Sequence, residues 1–196
     1  MADKLEGAVV LVTGASSGIG EATARALAAQ GAKVALVARR VDRIEKLAQE
    51  IAAGGHTALA VEADVTDQEQ AIAAVERTVG DFGRLDIVVN NAGVMLLGPI
   101  AGAPTEEWDR MIDVNIKGLL YTTHAALPHL FAAKDDSPRG VADVVNISSV
   151  AGRVASAGAG VYNLTKHGVG AVSEALRQEA SRHGVRVTII EPGFVE

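Results

Sequence analysis

A chain of 196 residues with 48% of them apolar can bury one sizeable core but not two, so it reads as a single domain. A net charge of −6 argues against nucleic acid, whose phosphates demand a concentrated basic face, and the lack of cysteine removes disulfides, a thiolate nucleophile and a cysteine-ligated zinc. Asp3, Lys4 and Glu6 precede an apolar run, Ala8 to Val12, that is too short for a signal or a membrane span; a soluble cytoplasmic protein is expected.

Along the chain, short β-branched runs alternate with segments of helical period, the pattern of parallel strands joined by crossover helices. The first strand, Val9 to Thr13, runs into Gly14-Ala15-Ser16-Ser17-Gly18-Ile19-Gly20 and a helix over Gly20 to Gln30. Glycines between a strand and a helix let the backbone approach a pyrophosphate, which the free N–H groups of the helix start stabilise. Any tight strand-to-helix turn uses glycine too, so the cluster alone does not decide between the two roles.

The second strand, Lys33 to Ala38, ends on Arg39 and Arg40 and leads into a helix over Arg40 to Ala53. In folds of this kind a carboxylate at that tip holds the ribose 2′-OH of NAD, whereas an arginine accommodates the 2′-phosphate of NADP. No carboxylate stands here, so NADP(H) is the expected cofactor, with Arg39 as its forked partner; Arg40 and Arg43 equally suit a solvated helix start. The third strand, Thr57 to Glu62, is followed by Asp64 and Val65. Asp64 equally suits the N-cap of a helix starting near Thr66, with Thr66 itself competing, and the helical period covers Asp67 to Val79.

The fourth strand, Asp86 to Val89, meets Asn90-Asn91-Ala92-Gly93, where Asn90 is expected to stabilise the sheet centre and Gly93 to let a cofactor pass close to the backbone. In the loop that follows, Met95, Leu96, Leu97 and Ile100 fit either an apolar rim or packing beneath the loop. A long helical stretch begins near Thr105, a plausible N-cap followed by Glu106 and Glu107. It carries Trp108 and Met111 as packing residues and Asn115, and Pro128 should kink or end it. Lys134 to Gly140 reads as an irregular insertion at the end of the sheet away from ligands.

The fifth strand, Asp143 to Ile147, ends on Ser148 and Ser149, and a helix over Val161 to His183 places Tyr162 and Lys166 four apart on one face. The sixth, Val185 to Ile190, leads to Pro192 and Gly193. The strands are mostly apolar on both faces, as strands buried on both sides are. The five histidines show no repeated metal-ligand spacing, and no metal is expected.

Reducing a carbonyl leaves an oxyanion that must be protonated, and a phenol beside an ammonium can serve as acid and base, because the cation stabilises the phenolate. A serine hydroxyl at the strand tip can stabilise the developing charge. Singly, each has a plain structural role: Tyr162 as a buried helix tyrosine, Ser149 as a turn residue.

Taken together and in order, Thr13-Gly14-x-x-x-Gly18-x-Gly20, Asn90-Asn91-Ala92-Gly93, Asn115, Ser149, Tyr162-x-x-x-Lys166 and Pro192-Gly193 resemble the short-chain dehydrogenase/reductase family over essentially the whole chain. Residues 105–115 and 178–193 are most similar to bacterial NADP-dependent reductases of the clavulanate dehydrogenase and hydroxy-acid dehydrogenase kinds. The resemblance implies a Rossmann-type, doubly wound parallel α/β sheet with helices on both faces, and interconversion of an alcohol and a carbonyl. It selects Ser149 over Ser148, thirteen residues before the tyrosine. It implies Asn115, Ser149, Tyr162 and Lys166 as catalytic, with Asn115 helping to hold a proton-relaying water. For the cofactor it implies Gly14, Ser16, Ser17, Gly18, Ile19, Gly20, Arg39, Arg40, Asp64, Val65, Asn91, Ala92, Gly93, Tyr162, Lys166, Pro192 and Gly193. In that set Asp64 and Val65 meet the adenine, and Lys166 the nicotinamide ribose.

By the same resemblance, a homodimer or homotetramer through the helices at 105–134 and 161–183 is expected, with a small carbonyl or alcohol substrate and neither nucleic acid nor membrane as partner. Family members continue into a substrate lid, a further helix and a seventh strand, so a longer polypeptide is expected too, covering an otherwise unpaired sixth strand. A silent NADP-binding regulator of the same fold is the alternative. A nucleoside-sugar epimerase or dehydratase normally carries G-x-x-G-x-x-G, which this chain lacks.

Overall fold

The computed structural model describes residues 5–137 and 139–194. Asp3 and Lys4, Pro138 within the expected insertion, and Val195 and Glu196 lie outside the described residues.

Among the described residues, six strands form one parallel sheet: β1 (Val9–Thr13), β2 (Lys33–Ala38), β3 (Thr57–Glu62), β4 (Ile87–Asn90), β5 (Ala142–Ile147) and β6 (Val185–Ile190). Their order is β3-β2-β1-β4-β5-β6, so the chain winds outward from β1 in one direction and then outward from β4 in the other. Helices α1 (Gly18–Ala28) and α2 (Val41–Ala53) cover one face. There Ala24, Ala28, Ile44, Leu47 and Ile51 meet Val10, Val12, Val34 and Leu36. Helices α3 (Gln68–Phe82), α5 (Gly118–Asp136) and α6 (Gly160–Ala180) cover the other, through Val75, Leu130 and Leu176 against Val9, Leu11, Val88 and Val144. Alternate residues of one strand thus feed two cores. Residues of β1, β2 and β4 are almost all buried, but the edge strands β3 and β6 are only half-buried, because among the described residues each has a strand neighbour on one side alone.

The direction change falls between β1 and β4. Their carboxyl ends, Thr13 and Asn90, therefore open a crevice at the place where open α/β sheets bind ligands.

Several boundaries differ from expectation. The long helical stretch is α4 (Thr105–Ile112), a π-helical turn over Asp113–Lys117, and α5. Thr105 is the first helical residue rather than the cap, since the extended Pro104 precedes it. Pro128 sits inside α5 without ending it; a proline removes one backbone donor, and the burial of Ala126, Leu130 and Ala133 holds the helix across that gap. α5 also continues to Asp136, into the segment read as irregular. Asp67, not Asp64, caps α3, by accepting from the Gln70 N–H.

Candidate active site

The glycine turn is held by contacts that leave no room for side chains. Gly14 and Gly18 adopt φ of +66° and +58°, which favour glycine. A Cβ on Gly14 would lie 2.9 Å from the Asn91 Nδ2, and one on Gly20 would run into that same amide and the Gly14 carbonyl. Asn91 locks this packing by donating from Nδ2 to the Thr13 carbonyl at 2.9 Å, while the Thr13 hydroxyl accepts from the Asn91 and Ala92 N–H groups, both at 3.0 Å. Ends of β1 and β4 are thereby pinned together. Around Gly18, by contrast, a Cβ would meet nothing within 4 Å among the described residues, and none of their side chains caps the start of α1. Open space, an uncapped helix start and tight backbone packing behind it are what a bound pyrophosphate requires.

Arg40 lies across this turn, donating from Nη2 to the Ser16 and Ser17 hydroxyls at 2.8 and 2.7 Å and from Nε to Ser16 at 3.1 Å. Arg39, the residue expected to carry the cofactor contact, is largely exposed and reaches Asp64 at 3.5 Å. The Asp64 carboxylate accepts from the Thr66 N–H and hydroxyl at 3.0 and 2.8 Å. Partial burial opposes its charge, but those bonds and Arg39 hold its carboxyl below the usual range.

At the other end, β5 delivers Ser148 and Ser149 to opposite uses. Ser148 is buried and donates to the Lys166 carbonyl at 3.1 Å, tying α6 to the strand end. The Ser149 oxygen accepts from the Ala151 N–H at 3.1 Å, and its proton has no acceptor among the described residues. Lys166 is 6% exposed, donates to the Ile147 carbonyl at 2.9 Å, and stands 5.8 Å from the centre of the Tyr162 ring. Burial lowers its pKa from 10.5 to about 8. An ammonium carries three donors, and the other two have no partner among the described residues.

Asn115 sits in the π-helical turn, buried. Its amide accepts from the Val94 N–H at 2.8 Å and donates to the Val94 carbonyl at 2.9 Å and the Thr165 hydroxyl at 3.1 Å. Its side chain thus joins the loop after β4 to the helix bearing Tyr162 and Lys166. Behind it, Asn90 donates to Thr123 and Asn146, and Asn146 to Ser173, in a buried chain through β4, β5, α5 and α6.

The glycine turn, the arginines and the Ser149, Tyr162 and Lys166 group open on one cleft of about 770 Å³. Of the residues singled out in the sequence, Gly14, Ser16, Ser17, Ile19, Arg39, Arg40, Asp64, Val65, Asn91, Ala92, Gly93, Ser149, Tyr162, Lys166, Pro192 and Gly193 line it; Gly18, Gly20 and Asn115 stand outside the lining. Sequence reasoning missed Asn163. Buried beside Tyr162, it donates to the Ala151 and Val154 carbonyls at 2.8 and 2.9 Å and accepts from the Ser156 N–H at 3.1 Å, fastening the loop after Ser149 to α6. The available signal was an amide on the face of α6 that also carries Lys166 and Val169. Among the described residues no helix is long and apolar enough to cross a membrane.

Comparison with known proteins adds an independent line. The profile of the short chain dehydrogenases matches residues 8–196. An uncharacterized oxidoreductase of Staphylococcus saprophyticus is 44% identical over 190 residues, 95% of this chain and 74% of that one. Among solved structures, a metagenomic short-chain oxidoreductase in complex with NADP superimposes with a TM-score of 0.89 at 36% identity, over 97% of this chain and 84% of that one. A 3-ketoacyl-(acyl-carrier-protein) reductase from Brucella melitensis complexed with NADH gives 0.90 at 36% identity, over 97% and 76%.

Proposed function

Since the chain belongs to the short-chain dehydrogenase family of oxidoreductases, we propose that it uses NADP(H) to interconvert an alcohol and a ketone or aldehyde, with Tyr162 as general acid and base. The observation that carries this reading is the buried Lys166 ammonium beside the Tyr162 ring, with spare donors and an uncommitted Ser149 proton opening on the same cleft.

When bound, a nicotinamide would supply the hydride in reduction and take it up in oxidation. Everything else falls to the chain. The glycine turn and the start of α1 hold the pyrophosphate, and Lys166 offers its remaining donors to the ribose. Ser149 donates its proton to the carbonyl oxygen, which polarises the carbonyl and steadies charge as it develops. Tyr162 passes its phenolic proton to that oxygen in reduction and recovers it in oxidation, with the Lys166 cation favouring the phenolate left behind. Asn115 keeps Val94 and Thr165, and hence both cleft walls, in register. Carbonyl, Ser149 and Tyr162 must meet within hydrogen-bond reach, so these anchors contribute by orientation.

NADP(H) is favoured over NAD(H) because the tip of β2 presents two arginines and no carboxylate, and Arg40 already lies on the phosphate turn. Relatives of known structure carry either cofactor, so the chain's own residues support the choice. The test follows nicotinamide absorbance with NADPH or NADH and a panel of carbonyls at one salt concentration. NADPH should bind tighter, and Arg40→Ala should weaken NADPH far more than NADH. Equal affinities in the unmodified protein overturn the NADP assignment, and tight binding without oxidation identifies a regulator in place of an enzyme.

A further inference from the structure

The two ends of the cleft differ in chemistry. The charged side chains in its lining, among the described residues, are Arg39, Arg40, Asp64 and Lys166. Arg40 reaches the glycine turn, and Arg39 and Asp64 pair with each other past the tips of β2 and β3; Lys166 is largely buried, its ammonium 2.9 Å from the Ile147 carbonyl. The lining that includes Ser149 and Tyr162 has Ser156 and Asn163 among its neutral polar members and also carries Met95, Leu97, Val150 and Val154. These four are 48, 55, 51 and 66% exposed, a concentration of solvated apolar surface continuous with the reacting groups. Asn163, the amide in that wall, has its oxygen and both N–H donors spent on backbone groups of the adjoining loop. Arg153, the cation next to Val154, is paired with Glu191 at 2.7 Å.

Resting on the reading of the site as a carbonyl-reducing one, we propose that its substrate is an uncharged carbonyl compound with an apolar substituent, recognised by burial against Met95, Leu97, Val150 and Val154. Exposed apolar side chains gathered at a concave site gain from being covered, and that gain grows with the apolar area of the substrate. A carboxylate next to the carbonyl would leave water for a wall whose adjoining amide and guanidinium, Asn163 and Arg153, are already paired, the spare donors of Lys166 being given to the ribose, and such a charge is costly to place without a partner. Ser149 and Tyr162 supply the hydrogen bonds that the carbonyl oxygen needs. The wall thus ranks substrates by the substituent, with the reacting oxygen the same for all.

Ester and acid pairs that share one carbonyl test this: ethyl pyruvate against pyruvate, and ethyl benzoylformate against benzoylformate, with NADPH near neutral pH. The ester of each pair should exceed its acid in kcat/KM by at least about tenfold, the order expected of an unpaired charge. Ethyl benzoylformate, with phenyl on the ketone carbonyl, should exceed ethyl pyruvate, with methyl there. Val154→Arg, which puts a cation at the rim, should narrow the ester-to-acid ratio by raising the acids. Acids turned over as fast as their esters overturn the proposal, as does a ratio that Val154→Arg leaves unchanged. If no compound oxidises NADPH, titrating the same pairs into the NADPH complex while following nicotinamide fluorescence separates the two claims. Esters that bind where acids do not sustain the apolar wall and sink the hydride-transfer reading, and binding by neither class overturns both.

Discussion

Replacing Lys166 by methionine should stabilise the fold near neutral pH while abolishing turnover. The side chain is 6% exposed, and burial lowers its pKa from 10.5 to about 8. At about 1.4 kcal/mol per unit, holding the charged form inside the protein costs about 3 kcal/mol relative to the unfolded chain. The sign follows from proton counting. Between those two values the unfolded chain keeps a proton that the folded one has released, so stability rises with pH through that window, and the full cost is present below about pH 8. Methionine of similar length fills the space without the charge, at the expense of the bond to the Ile147 carbonyl, which is lost at every pH. Urea unfolding of both proteins at about pH 7 and about pH 10.5 reads the effect. Other groups titrate in both proteins and cancel in the difference. The stability of the methionine variant relative to the parent should be higher at the lower pH by about 3 kcal/mol. A difference that does not change with pH would show that the lysine is not held against its charge, and the account of a desolvated ammonium beside Tyr162 would fall.

Two further predictions concern the anchors. Gly20→Ala puts a methyl into the Gly14 carbonyl and the Asn91 amide, so it should lower stability by about 1–3 kcal/mol, or roughly 3–10 °C in Tm for a chain of this size, and weaken cofactor binding. An unchanged melting curve would refute the packing, all the more because alanine favours helix. Asn163→Ala leaves two carbonyls and one N–H without their partner and should cost about 1–3 kcal/mol, with kcat falling more than KM rises because Ser149 loses its fixed seat. Asn163→Asp keeps the acceptor for Ser156 but neither donor, so it should not rescue; normal turnover in either variant argues against a positioning role for this amide.

How far the sequence could be read depended on whether a feature was local. Strand tips and glycine turns are local: Val9 to Thr13 and Lys33 to Ala38 stand where β-branched runs placed them, and the switch after β1 follows from strand order. Helix ends were less legible, since Pro128 reads as a kink or an end while the tertiary packing of Ala126, Leu130 and Ala133 carries α5 past it. The π-helical turn that holds Asn115 has no compositional mark at all. Side-chain commitments were hidden as well: two adjacent arginines look alike in a sequence, but one grips Ser16 and Ser17 and the other leans on Asp64, because the start of α2 turns them apart. Asn163 escaped notice beside the more conspicuous Tyr162, since its partners come from a loop seven to twelve residues earlier.

If Tyr162 moves the proton, Tyr162→Phe isolates that step, because the ring keeps its packing against the cleft and loses only the hydroxyl. With an uncharged ketone as substrate, NADPH affinity and the rate of NADPH oxidation are measured on the same two proteins. Affinity should stay within about twofold while turnover falls by at least about 100-fold, the usual loss when a general acid is removed. A variant that binds NADPH normally and still reduces the ketone at near the parent rate would contradict the account.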